Sequence, residues 1–391
     1  MGSETRKRVG PELARRLKSF YRGKKCVFNI DFRKDPEEEC SDTDWAHLDE
    51  DHTNTSFENI IPLSAGYNQS MERRRYRGAS LHPDLKPGLI QARAGEQAKG
   101  HRPCAYGIYR LGAFLFEASH PSWALQFAAG AMNCLLPYKD LRLAVDTIER
   151  NVLPLLARGE KIEPTAKFMV CREILNHFEA AGDLYNATAW LAGLQSVAER
   201  YNLKTDILCQ VRLLTHKAEL QISTKDDAAG VVLDELRDIA GNYENPWGRT
   251  PIALAHAGYY SSHGELDVAE KIIRDVARNV GIISSPLKEL VTQDNARLRA
   301  YVRLHLADLL IKRKSKRYIS EAMDLVRESY EDLRAFGEAV ALTTGPHISI
   351  DEFETRYVIG SAWKRVQRKE ISDLAEFSNV ANTVGRILFR P

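Results

Sequence analysis

The residues best suited to chemistry lie in one short polar segment, "WAHLDEDHTNTSFENIIPLSAGYN", which runs from Trp45 to Asn68. A histidine is followed by a run of carboxylates, then by asparagines, a short apolar stretch and a final asparagine. An imidazole can take a proton from water near neutral pH. Carboxylate and amide oxygens are the ligands that Mg²⁺ and Mn²⁺ accept. These residue types together indicate hydrolysis assisted by a divalent cation.

The order of these residues resembles the HNH (ββα-metal) nuclease motif over residues 46–68. "HLDED" begins at His47, "TNTSFENIIPL" contains Asn59, and "SAGYN" ends at Asn68. The resemblance implies that His47 is the general base and that Asn59 braces the loop that orients it. It further implies that Asn68 is a metal ligand and that Mg²⁺ or Mn²⁺ is the cofactor.

The segment departs from the motif at Ala46, where the family carries an acidic or histidine metal ligand. A methyl group cannot bind a cation, so three alternatives stay open: the site is inactive, another carboxylate substitutes, or Ala46 replaces a natural ligand. Asp44 lies on the same strand face by the period of two, about 6–7 Å further along the strand. Asp49 is a second candidate for the missing ligand.

The zinc-binding cysteines of the longer motif are replaced here by Ser64 and Tyr67. Cys26 and Cys40 cannot complete a four-ligand zinc site alone, so we predict no structural zinc. The six cysteines show no CxxC spacing, which is typical of reduced thiols in a cytoplasmic protein.

A net charge of +2 conceals a basic–acidic–basic order near the N-terminus. Residues 1–34 hold eleven Lys/Arg against three Asp/Glu, and residues 35–58 hold ten Asp/Glu and no Lys/Arg. "MERRRYR" then turns basic again. One interpretation is a solvated surface. The other is nucleic-acid binding, most readily of DNA, in which phosphates meet four arginines: Arg73, Arg74, Arg75 and Arg77.

Residue patterns predict a basic helix, three short strands and a second helix near the N-terminus. The predicted ranges are 1–22 for the helix, 26–32, 45–48 and 59–63 for the strands, and 64–77 for the second helix. We therefore assign residues 1–80 to a basic helix and an HNH-like module. Four glycines and three prolines in residues 78–104 favour a linker, which we place at 81–104.

Residues 105–391 consist of amphipathic segments with helical spacing throughout, so the predicted fold class is mainly α. Three stretches place a turn before a helix that becomes apolar around an alanine, most clearly near Gly264 and Ala269. They resemble the second helix of tetratricopeptide repeats, which implies a solenoid that binds a protein partner or a second copy. An irregular helical bundle is the alternative. No apolar run is long enough to span a membrane.

The favoured function is a metal-dependent nucleic-acid endonuclease with a helical domain for regulation or interaction. Such an architecture would suit an effector of bacterial anti-phage defence. The alternative is an inactive adaptor, in which a degenerate nuclease fold binds nucleic acid or a partner and the helices assemble a complex. Ala46 is the residue on which the two hypotheses differ.

Overall fold

The computed structural model describes residues 9–21, 26–28, 43–48, 53–77, 80–81, 85–100, 102–136, 140–158, 162–203, 206–224, 226–240, 246–279, 293–335 and 367–389. Within these ranges the protein is mainly α-helical, with a small antiparallel sheet near the N-terminus, which confirms the predicted fold class. The chain divides into two compact units. The first unit contains Met1–Ala180, Val340–Pro346 and Ser372–Pro391, and the second contains Ala181–Ala339 and His347–Ile371.

The elements of the N-terminal part follow one another in the order helix, strand, strand, helix and then a series of helices. They are α1 (Pro11–Phe20), β1 (Thr43–His47), a 3₁₀ turn (Phe57–Asn59), β2 (Ile60–Ser64), α2 (Ala65–Arg77), α3 (Pro87–Gly100), α4 (Arg102–Phe116), α5 (Pro121–Leu135), α6 (Leu141–Thr147), a π-helical turn (Ile148–Val152), α7 (Leu153–Ala157) and α8 (Pro164–Ala181).

Helices alone make up the remaining described part of the chain. They are α9 (Leu184–Arg200), α10 (Ile207–Ser223), α11 (Ala229–Ala240), α12 (Pro246–Ser262), α13 (Leu266–Asn279), α14 (Gln293–Lys312), α15 (Lys316–Ala335) and α16 (Gln367–Leu388). None of these described helices, nor any in the N-terminal part, combines the length and apolar character that a bilayer crossing requires.

The strands β1 and β2 pair antiparallel, and the register runs from Thr43 opposite Ser64 to His47 opposite Ile60. Helix α2 begins directly after β2, so the predicted strand, strand and helix follow in the expected order. Of the strand predicted over 26–32, residues 29–32 lie outside the described residues. The backbone N–H of Val27 donates to the carbonyl oxygen of Pro62 at 3.0 Å, which ties this segment to β2.

The strand hairpin packs on α4 at a glycine. A Cβ atom at Gly107 would lie 3.1 Å from Cε1 of Tyr21 and 3.4 Å from Cγ2 of Ile61. Tyr21 directly follows α1 as its C-cap, so the end of α1 and β2 both contact α4 at this glycine. All three residues are buried. The hairpin therefore shares its core with helices outside the strand–strand–helix module.

Most of the segment 81–104, which was predicted to be a linker, is helical. Helix α3 buries Ile90 and Ala94, and Cγ2 of Ile90 would lie 3.0 Å from a Cβ at Gly112 of α4. The glycines and prolines suggested a break in the chain. However, Pro87 stands at the first position of the helix, where its missing N–H costs nothing.

Helices α4 and α5 approach each other through two reciprocal pairs of a glycine and an aromatic ring. A Cβ at Gly112 of α4 would lie 2.7 Å from Cδ2 of Phe127, and one at Gly130 of α5 would lie 2.8 Å from Cε1 of Tyr109. Both distances are shorter than a carbon–carbon contact allows. The absence of side chains at these two positions therefore sets the spacing of the helix pair.

The second unit is built by consecutive packing of its helices. One apolar core is shared by α10, α11 and α12, and a second is shared by α12, α13, α14 and α15. Gly264 has φ +82 in the turn before α13, a conformation that glycine adopts without strain. Ala269 is fully buried one turn later. The tetratricopeptide resemblance of these helices stays a prediction.

The C-terminal helix α16 packs on α8 in the first unit. The ring of Phe377 stacks on His177 with centroids 5.4 Å apart and meets Phe178 edge-on at 5.1 Å. Nδ1 of His177 pairs with the carbonyl oxygen of Glu173 at 2.8 Å. Burial lowers the pKa of His177, although the Glu173 carbonyl and carboxylate act against the shift. The imidazole is therefore neutral in the folded protein at pH 7.

We expect Gly130→Ala to destabilise the protein, because the added methyl group meets the ring of Tyr109. Overpacking of this kind costs about 1–3 kcal/mol, which lowers the melting temperature by roughly 2–4 °C per kcal/mol in a unit of this size. Gly95→Ala in α3 is the matched control, since a Cβ there meets nothing within 4 Å. Equal melting temperatures of the two variants would contradict the account of the α4–α5 contact.

We also expect His177 to make stability fall on acidification. The unfolded histidine takes up a proton near pH 6.5, whereas the folded one does so only at lower pH. The stability contributed by neutral His177 is therefore complete above about pH 6.5 and decreases as the pH falls from there towards the folded pKa.

The measurement is the change in melting temperature between pH 7.5 and 5.5. It should be smaller in His177→Gln than in the unaltered chain, and His120→Gln, which changes an exposed histidine, is the control variant. An unaltered pH dependence in His177→Gln would show that this residue is not the one that titrates.

Candidate functional site

The structure brings together two of the predicted metal ligands, Asp44 on β1 and Asn68 on α2. Asn68 Nδ2 donates to Asp44 Oδ2 over 3.4 Å, a long hydrogen bond. Asn68 is the fourth residue of α2, so the tight connection between β2 and α2 returns its side chain towards β1. Asp44 is exposed and Asn68 is half-buried, so both can be reached from solvent.

Ala46 lies on the same face of β1 as Asp44, but it is only 2% exposed. Its partner across the ladder is Ile61, which contacts the Gly107 site on α4. The position where the motif expects a metal ligand is thus part of the apolar core. Asp44 is the carboxylate of this face that solvent reaches.

His47 ends β1 opposite Ile60 and is 9% exposed. The alternation of the strand places it on the face opposite to Asp44. The motif has the same alternation, because its metal ligand directly precedes the histidine. Positions 44 and 46 therefore share one face of the strand, and His47 lies on the other.

Asn59 is fully buried at the entrance to β2. Its side-chain Nδ2 donates to the carbonyl oxygen of Asn54 at 2.9 Å. Its own carbonyl oxygen accepts from the backbone N–H of Leu48, the residue after His47, at 2.8 Å. Asn59 thus joins the connecting loop to the end of β1, which is the kind of contact that the resemblance implies for it. Its role stays a prediction.

The other predicted site residues are described only in part. Asp49 lies outside the described residues, as do the side chains of Arg75 and Arg77. Arg73 is exposed on α2. Arg74 Nη1 donates to the carbonyl oxygen of Leu115 near the end of α4, over 3.4 Å. This contact ties Arg74 to the scaffold and leaves Arg73 as the arginine of the pair that is open to a phosphate.

The donor set beside Asp44 fits a hard divalent cation. Rotating the Asn68 amide by 180° places its oxygen where Nδ2 now lies, and the two orientations of an amide are not distinguished by its shape. Two oxygens in adjacent positions around Mg²⁺ are about 3 Å apart, because each lies about 2.1 Å from the ion. The 3.4 Å between Asp44 and Asn68 is close to this separation.

Sequence patterns did not reveal a buried charged cluster on α4. Arg110 is completely buried, and its Nη1 donates to Asp146 Oδ2 at 2.7 Å and to the Tyr106 hydroxyl at 2.8 Å. The signal that could have found it is one arginine inside the apolar segment "YGIYRLGAFLFEA". A buried arginine needs a carboxylate partner, and the sequence does not say which one.

Comparison with protein families, with curated proteins and with solved structures gave no match to this chain. The case for a function therefore rests on the residues of the module and their geometry.

We expect Ala46→Asp to destabilise the protein and not to improve the metal site, because the new carboxylate would enter the core beside Ile61. Burying an unpaired charge there should cost on the order of 3 kcal/mol. Thermal unfolding measures the effect, and Asp44→Ala on the same strand face is the control, with a change within about 0.5 kcal/mol. An undiminished melting temperature of Ala46→Asp would place position 46 at the surface instead.

Proposed function

We propose that this protein is a metal-dependent nucleic-acid endonuclease of the HNH type. The observation that carries the proposal is the approach of Asn68 to the exposed carboxylate of Asp44 across the junction of β1 and α2. It supplies an acidic oxygen on the strand face where the motif residue is Ala46. The order of strands and helix around it is the order that the HNH resemblance implies.

Each residue of the module would have a separate task. Asp44 and Asn68 would hold Mg²⁺ or Mn²⁺, with one negative charge contributed by Asp44. A divalent cation bound there supplies stabilisation of the negative charge on the phosphate and the leaving oxygen. His47 would accept the proton of the attacking water. Asn59 would keep the loop and the end of β1 in place.

The substrate would approach over the exposed side of α2. Arg73 is exposed on this helix, so a phosphate can reach its guanidinium group. Arg74 would hold α2 against α4 through Leu115. We propose DNA as the substrate and a protein partner or a second copy as the ligand of the helical unit, which would suit a controlled effector of anti-phage defence.

One observation favours the adaptor as a second candidate: Ala46 is buried and its face of β1 is occupied by apolar contacts. If Asp44 does not bind a cation, the strand face that holds Ala46 offers no ligand within the described residues of β1. The module would then bind nucleic acid or a protein without cleaving it.

The test is cleavage of supercoiled plasmid, single-stranded DNA and RNA by the full chain in Mg²⁺ or Mn²⁺, with EDTA as the metal-free condition. Asp44→Asn keeps the shape and removes the charge, so we expect it to lower the rate by a factor of about one hundred or more. His47→Ala should have an effect of at least the same size. Asp234→Asn is the matched control, since this carboxylate is exposed on α11.

The outcomes separate the candidates. Cleavage that survives both Asp44→Asn and His47→Ala would contradict the proposed site. Cleavage lost in Asp49→Asn but kept in Asp44→Asn would make Asp49 the ligand. Nucleic-acid binding without cleavage by the unaltered chain, with and without its natural partner, would support the adaptor.

A further inference from the structure

A buried guanidinium in the first unit has one edge engaged and one edge without an acceptor. Arg110 Nη1 donates to Asp146 and Tyr106, and Thr147 Oγ1 lies 3.4 Å from the same nitrogen. In the part of the chain that the structure describes, the Nε and Nη2 atoms of Arg110 are buried and have no hydrogen-bond partner. Buried donors of this kind are rare in folded proteins.

The two unused atoms lie on the same edge of the guanidinium. Nε–H and one N–H of Nη2 point side by side, at the spacing of two oxygens of a carboxylate or phosphate group. A water molecule can satisfy one donor, but an oxyanion accepts from both at once. The geometry of Arg110 is thus that of a buried fork whose Nε/Nη2 edge is unpaired within the described residues.

The charge of the cluster also favours an anion. Asp146 is shared between two guanidinium groups, because Oδ2 contacts Arg110 at 2.7 Å and Oδ1 contacts Arg150 at 2.5 Å. Burial lowers the pKa of Arg110, but Tyr106 and Asp146 raise it by more, so this residue stays protonated. One carboxylate is therefore shared by two guanidinium groups, of which Arg110 is completely buried and Arg150 is 34% exposed. The charge of Arg110 is thus only partly compensated by Asp146, and a buried charge is costly unless it is paired.

A second buried side chain without a partner lies one turn from the cluster. Asn151 is 2% exposed, and within the described ranges neither atom of its amide has a hydrogen-bond partner. Asn151 lies four residues after Thr147, and Thr147 contacts Arg110. It belongs to the π-helical turn Ile148–Val152, a departure from α-helix that often marks a functional position.

We propose that Arg110 and Asn151 form a binding site for a small oxyanion, which is held by the Nε/Nη2 edge of the guanidinium and by the asparagine amide. The ligand chemistry is a phosphate or carboxylate group, either as a free ion or as part of a small metabolite. This proposal does not depend on the nuclease function.

The site lies against the helices that support the strand hairpin. The ring of Phe20 on α1 meets Tyr106 edge-on with centroids 6.0 Å apart. The side chains of Tyr21 and Ile61 pack against Gly107, the next residue on α4. An anion at Arg110 would neutralise the excess charge beneath these contacts and stabilise the folded unit.

Thermal unfolding of the full chain in inorganic phosphate, compared with KCl at equal ionic strength, tests the proposal. We expect the melting temperature to rise by about 3 °C or more at a tenfold excess over the dissociation constant. Acetate and AMP, used in the same way, distinguish the ligand classes. A rise with acetate alone indicates a carboxylate, and one with AMP alone indicates a phosphate monoester.

The variant Arg110→Lys keeps the charge and loses the fork, so it should abolish the rise. Arg158→Lys is the matched control, because this arginine is exposed and pairs with Glu117, and it should respond as the unaltered chain does. If Arg110→Lys does not fold, calorimetric titration of Asn151→Ala with phosphate provides the test. We expect this variant to bind phosphate at least tenfold more weakly than the unaltered chain. An unchanged affinity of Asn151→Ala would overturn the proposal.

Two further results would also overturn it. One is a melting temperature that is the same in phosphate, acetate and AMP as in KCl. The other is a high-resolution structure, obtained in saturating phosphate, with only water on Nε and Nη2 of Arg110.

Discussion

The strand hairpin depends on the close contact at Gly107. Two strands and one helix enclose too little apolar surface to be stable alone, and this hairpin completes its core with Tyr21 from α1 and with α4. A side chain at position 107 would require the side chains of Tyr21 and Ile61 to move by a few tenths of an ångström. The geometry of the candidate metal site is therefore fixed by helices that precede and follow the module, and not by the module itself.

This packing explains why Asp44 and not position 46 is the candidate ligand. The face of β1 that holds both residues turns towards Ile61 and the α4 contact near the middle of the strand, and only its beginning is open to solvent. A carboxylate is favourable at the solvent-exposed start of the strand, at position 44, and costly at the buried position 46. Asn68 reaches the open end because α2 starts without a loop after β2.

The sequence predicted the elements whose signals are local. The strands around Trp45 and Ile61 are short runs with apolar, strand-forming residues, and α2 follows in the polar segment that the pattern marked as helical. Helix α3 was missed because its glycines and prolines outweighed the buried positions Ile90 and Ala94. The pairing of Arg110 with Asp146 was beyond prediction, because the two partners are 36 residues apart and come together only through the packing of α4 and α6 on α5. The approach of Asn68 to Asp44 was anticipated as a shared site, but its contact geometry required the structure.

We propose that Asp44 and Asn68 bind one divalent cation. Anomalous scattering from crystals of the full chain soaked in Mn²⁺ can locate this ion. We expect a single peak about 2.2 Å from a carboxylate oxygen of Asp44 and from the amide oxygen of Asn68. Mn²⁺ bound elsewhere with both residues uninvolved, or no peak beside Asp44 at saturating Mn²⁺, would contradict it.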